Sequence, residues 1–289
     1  MPSKIEKDAT TGTETTGHEW DGIKELNTPL PKWWLYTFYA TIVWGLAYTL
    51  VFPSWPSLTG HFEGTSGWTR RAEVADTLAA QKEAQAGTRE QILALDIESI
   101  RRDPALMGYV QAAGRVAFAD NCAGCHGAGG AGAVGFPTLA DDDWIWGGTP
   151  DQILQTITYG IRNANDNSRF ADMPRFGADG ILTKEQIADT ADFVLSLSGN
   201  GGDAAAIGRG AAIYADNCAA CHGERGEGMH EVGAPRLSDG IWLYGGDRPT
   251  VIESITNARR GSMPAWIERL DPATVKVLAT YVHALGGGQ

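Results

Sequence analysis

The chain has 289 residues, enough for about two domains and additional segments. Its formal net charge is −12 at pH 7, with only 23 Lys and Arg residues. This acidic balance argues against a nucleic-acid partner and favours a basic protein partner.

A long uncharged segment is the first predicted element. Residues 33–52 (WWLYTFYATIVWGLAYTLVF) would form a helix about 30 Å long, which matches the thickness of a bilayer core. Aromatic residues lie at both ends, and Pro53 and Pro56 follow, as expected where a membrane span stops. A cleaved signal peptide fits poorly, because a polar segment with several acids precedes the run. We therefore predict one transmembrane helix in contact with membrane lipid.

Residues 53–103 form a predicted linker. Segments 73–91 and 92–102 are rich in Ala, Glu, Gln and Arg, which have high helix propensity. We expect them to form a helical spacer after the membrane span.

The rest of the chain is an internal repeat. The sequence FADNCAGCHG at residues 118–127 matches YADNCAACHG at residues 214–223. After a two-residue insertion the similarity resumes, with Pro, Leu, Asp, Trp and Gly-Gly in the same order in both copies. The predicted domains are residues 104–199 and 203–289, joined by a short flexible Gly-rich segment.

Capping sequences predict helices at both ends of each copy. The first helices begin at Asp103-Pro104 and near Asp203, while the last begin at Thr183 and at Asp271-Pro272. The last helices are expected to run through Leu197 and Leu285 and to pack inward. Gly- and Pro-rich loops without strand periodicity lie between. The predicted fold is all-α, with one N-terminal transmembrane helix followed by two small helical domains.

All four cysteines belong to two Cys-x-x-Cys-His motifs. The six motif residues are Cys122, Cys125, His126, Cys218, Cys221 and His222. Two thiols three positions apart can bond both vinyl groups of one porphyrin, while the adjacent imidazole reaches the iron. This is the attachment sequence of c-type haem, so we predict two covalently bound haem c groups.

Three other interpretations of the cysteines are weaker. A four-thiolate zinc site would leave both histidines unused, and a dithiol redox pair would require a βαβ pattern that the sequence lacks. Structural disulfides would not produce a small stapled scaffold in a chain of 289 residues.

Met173 and Met263 are the candidates for the second axial ligand of each iron. Each precedes a proline, and they follow His126 and His222 by 47 and 41 residues. His and Met form a standard ligand pair in cytochromes c. Because both coordination shells would then be closed to oxygen and peroxide, the motifs predict electron transfer and no catalytic residue in this chain.

Two further pairs of residues recur in the copies. Pro137 and Pro235 follow the haem histidines, and we expect their carbonyls to orient the imidazole N–H groups. Trp144 and Trp242 could pack on the porphyrins or within the protein core.

The segment HEWDGIKELNTPLP at residues 18–31, followed by Trp33-Trp34 and the single span, resembles the dihaem cytochrome subunit (subunit III, CcoP/FixP family) of cbb3-type cytochrome c oxidases. The resemblance continues to the C-terminus and implies two tandem class I cytochrome c domains. It implies electron transfer from a soluble or membrane-bound cytochrome c donor toward the haem-copper oxygen-reducing centre. The implied partners are the haem-copper catalytic subunit, which holds that centre, and the monohaem cytochrome c subunit.

The resemblance also bears on the ligands, because the family includes cases in which the axial methionines are exchanged between the haems. Exchange would pair Met173 with His222 and Met263 with His126. Sequence spacing does not distinguish exchanged from unexchanged pairing.

Haem c is attached on the outer side of the bacterial cytoplasmic, or inner, membrane. Residues 1–32 are therefore predicted to be cytoplasmic, and the linker and both haem domains periplasmic. A free-standing membrane-anchored electron shuttle and a dihaem peroxidase remain alternatives. The peroxidase would need an open sixth position on one iron, and neither alternative explains residues 21–34.

Overall fold

The computed structural model describes residues 4–287. The chain divides into two compact units, one ending at Ala84 and the other beginning at Gln85, and each is considered by itself.

The N-terminal unit contains a β-hairpin that the all-α prediction did not include. Strands β1 (Thr15–Trp20) and β2 (Ile23–Leu26) pair antiparallel. Asp21 and Gly22 join them with φ angles of 48° and 85°, the left-handed backbone that a two-residue hairpin turn requires. The Asp-Gly pair was therefore the available sequence signal for this turn.

Helix α1 (Lys32–Val51) follows the predicted apolar segment to within one residue. It has no buried residue, and it is long and apolar enough to cross a membrane. The last carbonyls of the helix, those of Leu50 and Val51, accept hydrogen bonds from the amides of Thr65 and Ser66, at 3.0 Å each. Gly64 permits this return of the chain, since a Cβ there would collide with the Val51 backbone.

Helix α2 (Arg70–Ala94) confirms the helical character predicted for the linker. The second unit continues with nine helices among the described residues: α3 (Ile97–Arg102), α4 (Pro104–Asn121), α5 (Ala123–His126), α6 (Pro150–Tyr159), α7 (Lys184–Leu197), α8 (Ala204–Asn217), α9 (Ala219–His222), α10 (Arg248–Asn257) and α11 (Pro272–His283).

The capping sequences predicted the starts of four of these helices. The carboxylates of Asp103, Asp203 and Asp271 cap α4, α8 and α11, and Thr183 forms a capping box with Gln186 at α7. Helix α11 ends at His283, two residues before the predicted end.

Helices α6 and α10 lie where the sequence predicted only loops. Their start signals are present but short: Thr149 and Gln152 form a capping box at α6, and Asp247 accepts from the Thr250 amide at α10. The predicted inward packing of the terminal helices is confirmed, because both α7 and α11 contribute buried residues to a core.

Each terminal helix packs on the long helix that precedes the Cys-x-x-Cys-His motif of the opposite copy. We call these long helices, α4 and α8, the motif helices. Helix α11 crosses α4, while α7 packs along α8. Gly114 allows the first crossing, since a Cβ there would lie 2.7 Å from Tyr281 Cβ. Gly210 allows the second, where an added Cβ would collide with the Asp189 carbonyl. The packed units therefore differ from the sequence repeats.

An ion pair between a buried carboxylate and an exposed arginine joins α7 to α10. Asp192 is 8% exposed, and its carboxylate accepts two hydrogen bonds from Arg248, at 2.6 and 2.9 Å. The two-bond geometry satisfies a carboxylate that would be costly to bury alone.

Candidate haem sites

Each Cys-x-x-Cys-His motif begins where a long helix ends. The motifs form the short helices α5 and α9, closed by bonds of 2.9 Å from the amides of His126 and His222 to the carbonyls of Cys122 and Cys218. All four thiols are free. The disulfide interpretation therefore has no support in this structure.

Both motif histidines make the predicted contact with a proline carbonyl. His126 Nδ1 lies 3.0 Å from the Pro137 oxygen, and His222 Nδ1 lies 2.9 Å from the Pro235 oxygen. A carbonyl can only accept, so Nδ1 carries the proton and Nε2 keeps its lone pair. Burial lowers the pKa of both histidines, which favours the neutral imidazole that binds a metal.

The first cysteine of each motif is not activated as a redox thiol. Burial, together with the neighbouring motif thiol, raises the pKa of Cys122 to about 11 and that of Cys218 to about 11. A reactive dithiol needs a lowered pKa. The environment of these residues thus disfavours the dithiol interpretation.

A cavity beside His222 contains the methionine of the opposite copy. Its volume is about 480 Å³, within the range of sites that enclose a small molecule or cofactor. Cys218, Cys221, His222 and Met173 all line it. Met173 also packs against the core cluster that includes Tyr214 and Cys218.

Met263 lies with the first motif in the same exchanged manner. It packs against the core cluster that contains Cys122 and Phe118. The structure thus brings Met263 together with the His126 motif and Met173 together with the His222 motif. We call the first arrangement site one and the second site two.

Met263 is fixed through its backbone by the opposite copy. Its amide donates to the Ile161 carbonyl, and the Ile161 amide donates back to its carbonyl, each at 2.9 Å. Asn163 Nδ2 donates to the same Met263 carbonyl at 2.7 Å. The sequence analysis did not predict this contact. The available signal was an insertion: the first copy has eight more residues than the second between its Gly-Gly pair and its Met-Pro pair.

The Met173 loop is fixed at the residues that precede the methionine. Arg162 Nη1 donates to the Ala171 carbonyl at 2.9 Å. Arg260 forms an ion pair with Asp172. Arg162 and Arg260 occupy equivalent positions in the two copies. This recurrence was the sequence signal that could have identified them as residues that contact the methionine loops.

The two tryptophans have different surroundings. Trp144 packs on the core of site one, and its indole N–H donates to the Gly287 carbonyl. Trp242 lines the cavity of site two.

An acidic pair lies at the same cavity. Asp141 and Asp143 line it, and burial together with Asp239 and Asp141 raises the pKa of Asp143 to about 6. Arg236 opposes this shift. The proton on Asp143 is therefore exchanged close to neutral pH.

The donor set suits haem c at both sites. At each site the first motif cysteine and the methionine pack in one apolar cluster, and the second thiol and the imidazole, with Nε2 free for a metal, lie on the adjacent short helix. At site two the two thiols, the imidazole and the thioether all line one cavity.

Comparison with known proteins places three segments of the chain in known families. Residues 12–59 match the N-terminal domain of cytochrome oxidase-cbb3, FixP, residues 111–198 match cytochrome c, and residues 205–282 match cytochrome c oxidase, cbb3-type, subunit III. The chain is 52% identical to the cbb3-type cytochrome c oxidase subunit FixP of Azorhizobium caulinodans, over 98% of this chain and 96% of that protein. It is 51% identical to the CcoP subunit of Cereibacter sphaeroides, over 95% of each chain.

Proposed function

The chain belongs to the FixP/CcoP family of cbb3-type cytochrome c oxidase subunits, and we propose that it binds two haem c groups covalently and passes electrons between a donor and the rest of the oxidase. The observation that carries this proposal is the geometry of the motif histidines. Each is partly buried, with Nδ1 bound to a proline carbonyl and Nε2 left for iron.

In the proposed attachment, each motif holds one haem. Cys122 and Cys125 form the thioether bonds of site one, and Cys218 and Cys221 those of site two. Bound haem c supplies a one-electron iron couple. The chain's own residues position it, exclude water from it and set its potential.

We propose that the axial methionines are exchanged, so that Met263 completes site one and Met173 completes site two. The packing of each methionine against the opposite motif supports this pairing. A thioether ligand raises the reduction potential and closes the sixth position to oxygen and peroxide. The ligand set thus favours an electron carrier over a dihaem peroxidase.

Single-haem chains test the exchange directly. In a chain with Cys122→Ala and Cys125→Ala, only site two retains haem. Met173→His should then lower the remaining potential by about 0.1 V, within the roughly 0.8 V range that axial ligands span. Met263→His in the same chain should leave it unchanged. Unexchanged pairing predicts the opposite result in a redox titration.

We further propose that α1 crosses the inner membrane, with residues 1–32 cytoplasmic and both haem sites periplasmic. The length and apolar surface of α1 support this placement. Protease added to intact spheroplasts should remove the haem-stained fragment and spare the segment before Trp33. Protection of the haem domains would contradict the orientation.

The proposed partners are the haem-copper and monohaem cytochrome subunits and a basic cytochrome c donor. The net charge of −12 should raise the encounter rate with such a donor. Added salt screens this attraction, since the Debye length is about 10 Å at 0.1 M, so oxidase turnover with a basic donor should fall as the salt concentration rises. Full oxygen consumption in membranes that lack this chain but contain the other oxidase subunits would refute the assignment.

A further inference from the structure

One guanidinium lies between the two methionine loops. Arg162 Nε donates to the Gly261 carbonyl at 2.8 Å, and Arg162 Nη1 donates to the Ala171 carbonyl at 2.9 Å. Each of these carbonyls belongs to the residue two positions before a methionine, Met263 in one loop and Met173 in the other. The same side chain is therefore bonded at equivalent points of both loops.

The position of Arg162 is itself well defined. Its amide donates to the Arg169 carbonyl at 2.9 Å, and its carbonyl accepts from Ser262 Oγ at 3.0 Å. Its φ is +48°, a left-handed conformation that is costly outside glycine and persists where the surroundings impose it. The side chain also lies 5.9 Å from the centroid of the Trp146 ring.

Burial lowers the pKa of Arg162, yet a guanidinium remains charged throughout the physiological range. Its planar set of donors can bond two carbonyls at fixed angles, which a lysine ammonium does less well. These features suit a residue that keeps two backbone segments in one register.

Two neighbouring side chains also contact the loops. Among the described residues, Asn163 donates to the Met263 carbonyl, and Arg260, which itself lies three positions before Met263, pairs with Asp172 beside Met173. Asn163 contacts one loop only, so it provides the matched comparison for a residue that contacts both.

We propose that Arg162 is a positioning residue for both haem sites, holding the Met173 and Met263 loops so that each thioether faces its iron. This inference rests on the proposed function, because it requires both methionines to be axial ligands. Loss of either bond would loosen one loop, and loss of the guanidinium would loosen both.

The test uses the full chain in detergent and the two single-haem chains, each carrying Arg162→Gln. A hydrogen bond of about 1 kcal/mol corresponds to a roughly fivefold shift in the equilibrium between the bonded loop and the displaced loop. The red absorption band of methionine-ligated ferric haem should therefore weaken at both sites, and both potentials should fall. Haem staining checks that covalent attachment persists.

Three variants make the pattern specific. Asn163→Ala should affect site one alone, because of the two loops its side chain bonds only the Met263 carbonyl. Arg115→Gln removes a positive charge from an exposed position on α4 and should leave both bands and both potentials unchanged. Arg162→Lys should recover part of the methionine band, since an ammonium can still donate to one carbonyl.

Unchanged bands and potentials in Arg162→Gln, or a change confined to one site, would overturn the inference. If Arg162→Gln does not accumulate, Arg162→Lys gives the decision: because an ammonium can still donate to one carbonyl, a deficit at one or both sites supports the inference, and intact bands at both sites overturn it. Failure of the underlying ligation is distinguishable. In that case Met173→His and Met263→His would also leave every potential unchanged, and both proposals would fall.

Discussion

Sites one and two share a motif but are stabilised by different contacts. In site one, the backbone of Met263 pairs with Ile161 and accepts a bond from Asn163. In site two, Met173 lines a cavity, and its loop is bonded through the preceding residues Ala171 and Asp172. Equivalent methionines can therefore be positioned either by direct backbone pairing or by side chains that bond to the neighbouring residues.

The two helix crossings also differ, in which helix carries the tyrosine. Phe118 packs with Tyr281 in site one at 5.7 Å between ring centroids, and Tyr214 packs with Phe193 in site two at 5.0 Å. The hydroxyl-bearing ring is thus on the terminal helix in one site and on the motif helix in the other. Among the described residues, the Tyr214 hydroxyl donates to the carbonyl of Gly223, the residue directly after the motif histidine His222, and no equivalent bond from Tyr281 is present.

Exchange of the terminal helices makes each site depend on both copies. Site one needs α11 and Met263 from the second copy, and site two needs α7 and Met173 from the first. Helices α7 and α8 are joined by only six residues, 198–203, so their packing closes a short loop. The predicted flexible joint between domains is therefore the turn of a helix pair.

The largest expected effect comes from truncating the chain after residue 202. The product keeps the first motif, but it loses α11, Met263 and the second motif, so the α4 surface loses its partner. We expect a haem that lacks the methionine band and a chain with little cooperative unfolding by circular dichroism. A stable, methionine-ligated cytochrome from residues 1–202 would refute the exchange.

Substitution of the crossing glycines should follow in size. Gly114→Ala places a Cβ 2.7 Å from Tyr281 Cβ, so we expect a loss of about 2 kcal/mol in unfolding free energy. Gly210→Ala should cost more, because the obstacle is the Asp189 backbone carbonyl, which cannot rotate away. Thermal or denaturant unfolding of the haem-loaded chain measures both.

Neighbouring glycines provide the controls for these substitutions. Gly108 on α4 and Gly208 on α8 have open space where a Cβ would lie. Their replacement by Ala should stabilise the helices by up to about 1 kcal/mol, through helix propensity alone. Equal losses at all four positions would show that the crossings are not the cause.

Local features of the fold were predictable because their causes lie within a few residues. The caps at Asp103, Thr183 and Asp271 predicted helix starts, and the twenty uncharged residues after Lys32 predicted α1. Helices α6 and α10 were missed because each has only ten residues and is flanked by Gly- and Pro-rich loops.

The exchange itself could not be predicted from the repeat. Helices α7 and α11 each have apolar residues at a helical spacing along one face, so either could cover either motif helix, and only the three-dimensional path of the loops decides. The roles of Asn163 and Arg162 depend on that path as well. The motif cysteines and histidines, by contrast, were identifiable from spacing alone, because all three residues of each motif lie within five positions of the chain.

A hydroxyl swap sharpens the comparison of the two crossings. Tyr214→Phe removes the 2.8 Å bond to the Gly223 carbonyl, and we expect a loss of about 1 kcal/mol. Phe118→Tyr adds a hydroxyl at the equivalent position of site one, where Gly127 has nearly the same backbone angles as Gly223. It should be neutral or slightly stabilising. A loss of more than about 2 kcal/mol in Phe118→Tyr would show that the two crossings have different shapes.

The smallest expected effect concerns Asp143, whose counterpart in the second copy is Ile241. Its pKa is raised to about 6 from an ordinary value of 3.8, by burial first and by Asp239 and Asp141 next. The folded chain therefore binds this proton more tightly than the unfolded chain does, so stability falls as pH rises from about 4 to about 6. Asp143→Asn should raise the unfolding free energy at pH 7 by about 1 kcal/mol, less than the full shift because the group is half-exposed. The gain should vanish below about pH 3, where Asp143 is protonated in both states. Asp142→Asn, at the exposed neighbour, should change the unfolding free energy little at either pH. A gain of equal size at about pH 3 and at pH 7 would indicate a packing effect instead.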